Sequence, residues 1–124
     1  MKTFILFLTV STSLFCQNTL ESGRESLKNK AYAKAEKKLS AYINSNKNDR
    51  EGIELLGDAY GYQKKWDAAI IEYKKLTQLE PNNANYHYKY GGALGMKAMQ
   101  INKLSAAMIV GDIKEAFLKA AELD

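Results

Sequence analysis

Gly23, Gly57 and Gly91 stand thirty-four residues apart, and the residues around them repeat with the same step. Around Gly57 the chain reads "REGIELLGDAYGYQKKWDAAIIEYKKLTQLEPNN" (residues 50–83), with Leu56 before the glycine and Tyr60, Ala69, Tyr73 and Pro81 after it. One period earlier, Ala35 answers to Ala69, Leu39 to Tyr73 and Lys47 to Pro81, while Ser22 and Ser26 occupy the places of Leu56 and Tyr60. One period later, Tyr90-Gly91 answers to Leu56-Gly57 and Leu94 to Tyr60. A fixed period of this length marks a chain built by stacking one supersecondary unit, each unit burying its apolar side against its neighbours.

Each repeating residue has a physical role in a pair of antiparallel helices. Gly57 and Ala69 are small enough to let the helices approach, and Leu56, Tyr60 and Tyr73 fill the space between them. Asn48 or Asp49 can cap the first helix by accepting from its free N–H groups. Lys64-Lys65 marks the turn, and Pro81 ends the second helix because it has no N–H to donate. The pattern resembles the tetratricopeptide (TPR) repeat, which places Leu-Gly, Tyr, Ala, an aromatic and Pro over about thirty-four residues. Ile53 stands where that repeat often has Trp, and Trp66 opens the second helix. The resemblance implies an all-α, right-handed superhelix of three antiparallel helix hairpins over residues 17–124. Its units would be about 17–49, 50–83 and 84–124. A composition with one proline and many Ala, Lys, Leu and Glu agrees with an all-α fold.

The third unit departs from the period. Its closing segment, "DIKEAFLKAAELD", aligns with "DAAIIEYKKLTQLEP" when Ile113 replaces Ala69, Phe117 replaces Tyr73 and Ala120 replaces Leu76. That register requires a ten-residue insertion within residues 95–112. Met96, Met99, Ala106, Ile109 and Val110, with Ile101 and Leu104, recur at roughly helical intervals there. The spacing predicts a first helix that runs on past Met96 and a bend or short helix near Asn102. Gly111 then suits a helix end and Asp112 a cap for the last helix. The apolar positions are expected to pack against the repeats.

The N-terminus reads differently. "MKTFILFLTVSTSLFC" has one charge at Lys2, an apolar run from Phe4 to Val10 and a Ser/Thr-rich end, the order of a secretory signal peptide over residues 1–16. The run is too short to span a bilayer, which takes about 20 apolar residues. Cleavage after Cys16 exports the chain, most simply to a bacterial periplasm. Cleavage before Cys16 would leave a lipid-anchored protein, although Ser13 and Phe15 fit that motif poorly. Removal of residues 1–16 takes away Lys2 and reduces a formal charge of +4 by one, too weakly basic to argue for nucleic acid.

The residue inventory speaks against catalysis and metal binding. His87 is the single histidine and Cys16 the single cysteine. A nucleophile-base pair or a zinc site needs several such groups converging. His87 stands one period after Ile53, a place packed between helices. "YGGALG" follows no strand and precedes no Lys-Ser/Thr, so it is no phosphate loop. No cofactor is expected, and the lysines of the second helices and turns read as a solvated outer face.

The resemblance implies that first helices line the concave face of the superhelix. Glu51, Glu54 and Asp58, spaced by three and four, share one side of such a helix. Asn85, Tyr88 and Lys89 are expected nearby, with Tyr62 and Met96 further along. The expectation is a non-enzymatic interaction scaffold whose acidic, tyrosine-edged groove accepts a basic or extended peptide. Phe117, Leu118, Ala120 and Ala121 lie on a last helix with no capping helix after it, which leaves two expectations, a chain shortened relative to longer relatives or self-association through that edge. Sedimentation at several concentrations tests the second: mass should rise with concentration, and a strict monomer throughout removes the idea.

Overall fold

The computed structural model describes residues 19–124, so the leader expected at 1–16, with Cys16, lies outside the described residues. Within them run six helices: α1 (Leu20–Lys28), α2 (Tyr32–Ser45), α3 (Arg50–Tyr62), α4 (Trp66–Leu79), α5 (Ala84–Gln100) and α6 (Lys103–Leu123). Each helix packs on those before and after it, and α1 also reaches α3. This is an all-α, neighbour-on-neighbour array.

The helix ends repeat as the side chains do. Where a helix pair begins, a short polar side chain accepts from the backbone three residues on. Thr19 takes the Ser22 N–H (3.1 Å), Asp49 that of Gly52 (3.2 Å) and Asn83 that of Tyr86 (3.3 Å). Such caps typically contribute about 1 kcal/mol each. α4 stops at Leu79, just before Pro81. Between α1 and α2, and again between α3 and α4, a lysine enters the left-handed region, Lys30 and Lys64, each at φ 58°. The N–H groups of Lys30 and Ala31 bond back to Leu27 and Ser26, and those of Lys64 and Lys65 to Gly61 and Tyr60. That is a Schellman-type close at both turns.

The core is two clusters joined by shared side chains. Ala35, Leu39, Leu56 and Ala59 form one, and Ile53, Ala69, Tyr73, Leu76, Tyr86 and Ala93 the other, with Ile43 and Tyr60 packed against both. The periodic glycines set how closely each pair packs. A Cβ on Gly23 would lie 2.4 Å from Leu39 and one on Gly57 2.5 Å from the Tyr73 ring. On Gly91 it would meet Ala116 at 3.1 Å and Phe117 at 3.3 Å. The register that pairs Phe117 with Tyr73 therefore holds in space, although Phe117 keeps 38 % of its surface exposed while Tyr73 keeps 6 %. Ser26, at the place of Tyr60, is buried by returning its hydroxyl to Ser22 O at 3.1 Å.

The insertion takes a different form from the one expected. α5 does run past Met96, and the chain does break at Ile101–Asn102, with the Asn102 side chain accepting from Ser105 N–H at 2.9 Å. Gly111 ends nothing, however, and Asp112 caps nothing: α6 continues through both. One reversal suffices to form a hairpin, and Asn102 provides its cap. A mid-helix glycine costs about 1 kcal/mol against alanine, too little to break a helix packed along its length. The extra residues therefore lengthen both helices, α5 having 17 residues against 13 in α3, and α6 having 21 against 14 in α4. The expected packing of the apolar positions also fails in part. Met99 is 80 % exposed and Val110 55 %, because these turns outrun the neighbouring hairpin. Ala106 and Ile109 are half-buried.

Glycine-to-alanine changes should split by sign. Gly57→Ala drives a methyl into the Tyr73 ring and should cost about 1–3 kcal/mol. Gly92→Ala and Gly95→Ala meet nothing within 4 Å and should stabilise by up to about 1 kcal/mol through helix propensity. Thermal melts check both directions, a change of 1 kcal/mol moving Tm by about 4–8 °C at this size.

Candidate interaction surface

The first helices α1, α3 and α5 form a continuous face, and charged side chains stitch it together. Arg24 of α1 pairs with Glu51 of α3 and with Glu21 of its own helix. Lys89 of α5 reaches Glu54 at 2.9 Å and Asp58 at 2.8 Å, both on α3. Asn85 donates to Glu54 at 3.0 Å, and the Tyr73 hydroxyl donates to Asp58 at 2.5 Å. Lys89 and its two carboxylates are each about three-quarters buried at the side chain. The Lys89 ammonium also lies 5.8 Å from the centre of the Tyr73 ring.

This cluster collects four of the eight residues expected at the surface: Glu54, Asp58, Asn85 and Lys89. The others lie apart from it. Glu51 turns to Arg24. Tyr62 sits at the turn end of α3, 64 % exposed and stacked on Tyr32 with centroids 4.6 Å apart. Tyr88 is 62 % exposed and leans on Phe117 at 5.9 Å, beside a shallow groove floored by Ala120 and Ala121. Met96 keeps 39 % of its surface. An open acidic groove is thus not what forms: its three carboxylates are already held by Arg24 and Lys89.

Arg24, Tyr32 and Tyr73 contact these residues and were not among those expected at the surface. Arg24 stands one period before Asp58, so the repeat already assigns it to this face. Tyr73 was read only as a filler, and the reach of its hydroxyl to Asp58 has no linear signal. His87 sits less deeply than Ile53. It is half-buried with Nε2 2.7 Å from Pro81 O, while the adjacent Tyr86 enters the core at 7 % exposure.

Burial alone would lower the Lys89 value, but its hydrogen bonds to Asp58 and Glu54 outweigh that and hold it above the ordinary lysine range. Burial, then the charge and hydrogen bond of Asp58, push the Tyr73 phenol well above its usual value. The cluster is built for a cation between two anions with a neutral phenol beside them. Among the described residues no group of three or more His, Cys, Asp or Glu is placed to hold a metal ion.

A family model for the TPR repeat matches residues 57–97, from the glycine of α3 to the point where α5 outgrows α3. The match supports a TPR protein, and the all-helical architecture is consistent with a TPR-like array. TPR repeats commonly mediate protein–protein interaction and are generally non-catalytic scaffolds. No curated protein matches the chain at a significant level.

Removing the cation tests the cluster. Lys89→Met leaves two carboxylates facing each other without compensation and should cost about 1–3 kcal/mol, between the surface and the fully buried cases. Adding Asp58→Asn should return part of that loss. Both the Lys89 and Tyr73 values rise on folding, so their stabilisation is complete below the ordinary values of 10.5 and 10.0 and is lost as pH climbs beyond them. Chemical denaturation across that range should show a fall at alkaline pH that is smaller in Lys89→Met.

Proposed function

We propose that the chain is an exported, non-enzymatic scaffold of a bacterial cell envelope. It receives an extended segment of a partner protein across its first-helix face, which is concave in a right-handed superhelix of three repeats. The observation that carries this reading is the exposure of Tyr62 (64 %) and Tyr88 (62 %) at the two sides of a face whose charges are already satisfied. Tyrosine offers a large, stiff, amphipathic contact area at low entropic cost, and a rigid ladder beneath it needs no rearrangement on binding. A basic side chain of the partner would compete with Arg24 and Lys89 for Glu51, Glu54 and Asp58. Aromatic contact therefore comes first in this reading, and the carboxylates second. Met96 and Asn85 border the same path.

Export rests on the leader-like order of residues 1–16, with anchoring through Cys16 as the alternative. One experiment addresses both parts: affinity capture from the envelope of the source cell, with the mass of the mature N-terminus measured on the same sample. Tyr62→Ala with Tyr88→Ala should lose the captured partner, a pair of buried aromatic contacts being worth about tenfold or more in affinity. An unchanged capture profile would overturn the tyrosine-edged contact face. A free or cyclised Gln17 agrees with export, an acyl-cysteine with anchoring, and an intact Met1 leader with neither.

A further inference from the structure

The turns inside the three hairpins lie along one edge of the array. Tyr32 stacks on Tyr62, and Lys65 reaches Glu36 at 2.9 Å, which ties the first turn to the second. Asp67, at the start of α4, takes Lys97, near the end of α5, at 2.5 Å, which ties the second to the third. Lys28, Lys30, Lys64, Lys65, Lys97 and Lys103 all lie at this edge. The carboxylates of Glu36 and Asp67 are engaged by Lys65 and Lys97, and Glu25 lies one turn back along α1. Lys28, Lys30, Lys64 and Lys103 are exposed and form no ion pair among the described residues.

An apolar knob projects from the same edge. The added residues carry α5 about 6 Å and α6 about 10 Å beyond the ends of the matching helices in the second hairpin, at 1.5 Å per residue. On this tip Met99 is 80 % exposed, Leu104 79 % and Met108 80 %. From Pro81 to Gly111 the sequence has no Asp or Glu, so nothing acidic on the tip of the hairpin opposes an anionic surface; Asp112, Glu115 and Glu122 lie farther back along α6.

We propose that this edge docks the protein peripherally on an anionic lipid surface, the α5–α6 tip entering the headgroup region and the lysine row meeting the lipid phosphates. The shape selects this occupant. A folded partner would need a matching apolar pocket for a convex tip, whereas a lipid interface deforms around flexible Met and Leu side chains. Nucleic acid would use the lysines and leave the apolar tip in water. Among the described residues no helix is long and apolar enough to cross a membrane, so the contact is interfacial. Each lysine at an anionic surface strengthens binding by about fivefold, and buried apolar side chains add to it.

The test uses the full chain with Cys16→Ser, labelled with an environment-sensitive fluorophore at Met99→Cys or, on the opposite edge, at Asn82→Cys. Vesicles containing phosphatidylglycerol should blue-shift the label at 99 and leave the label at 82 unchanged, whatever the N-terminal segment does. Vesicles of phosphatidylcholine alone, or added salt, should reduce the shift. Changing Lys28, Lys30, Lys64 and Lys103 to Gln should weaken the titration at position 99 by about six hundredfold, roughly fivefold for each. Leu104→Ser with Met108→Ser should weaken it by about tenfold, with helicity preserved because both side chains are exposed. No shift at 99 with any vesicle, an equal shift at 82, or a titration indifferent to the lysines would each overturn the proposal.

Discussion

The Tyr73 ring lies across Gly57 because no Cβ stands between them, and much of the array depends on that contact. It lets α3 and α4 approach closely enough for one aromatic side chain to span the gap. The ring then carries its hydroxyl through to Asp58, on the far side of α3 from the core. Asp58 in turn fixes Lys89 of α5. Packing within the second hairpin and stitching between the second and third are therefore one connected chain of contacts. A buried side chain that ends in a hydrogen bond can do this, and Leu39, which covers Gly23, cannot. On the first-helix face, α1 and α3 are instead joined by Arg24 with Glu51, two partly exposed side chains, while Lys65–Glu36 and the stacked Tyr32 and Tyr62 join the two hairpins at the turn edge.

The same geometry explains where extra residues go. The Gly91–Phe117 contact must keep its place for α5 and α6 to pack as the other pairs do. Residues added between those points can only extend the turn end. Two helices lengthened together still cover each other's inner faces, hence the half-buried Ala106 and Ile109. Their outer faces have no neighbour, since α3 and α4 have already turned back. Exposure of Met99 and Met108 follows from length alone, whatever their hydrophobicity.

What could be read from the sequence divides along the same line. The close glycine contacts, the caps at Asp49 and Asn83, the stop before Pro81 and the break near Asn102 all depend on residues adjacent in sequence or one period away. Gly111-Asp112 carries an equally good local signal for a helix end, yet topology needed one reversal and Asn102 had supplied it. Lys89 shows the limit in another way. Its place beside Glu54 and Asp58 was expected from the repeat, and the two ion pairs put it there. That it closes the acidic face by pairing with both carboxylates depends on how high α5 rides against α3, which no spacing encodes. His87 is half-buried where Ile53, one period earlier, is fully buried, while Tyr86 is buried as Gly52 is before it.

Charge follows the same logic at larger scale. A formal charge of +4 is modest when spread over the molecule and argues for no particular partner. Folding distributes it unevenly. Glu51, Glu54 and Asp58 are paired along the first-helix face, and Glu80 pairs with Arg50 at the edge opposite the turns. Lys28, Lys30, Lys64 and Lys103, which form no ion pair among the described residues, come together at the turn edge because a hairpin repeat brings every second connection to the same side. Lys34, Lys37, Lys38, Lys47, Lys74, Lys75 and Lys114 lie elsewhere. Charges within about 10 Å of one another act together at moderate salt, while those farther apart are screened. A weak net charge thereby becomes a local field with a direction, and the apolar tip of the third hairpin points the same way.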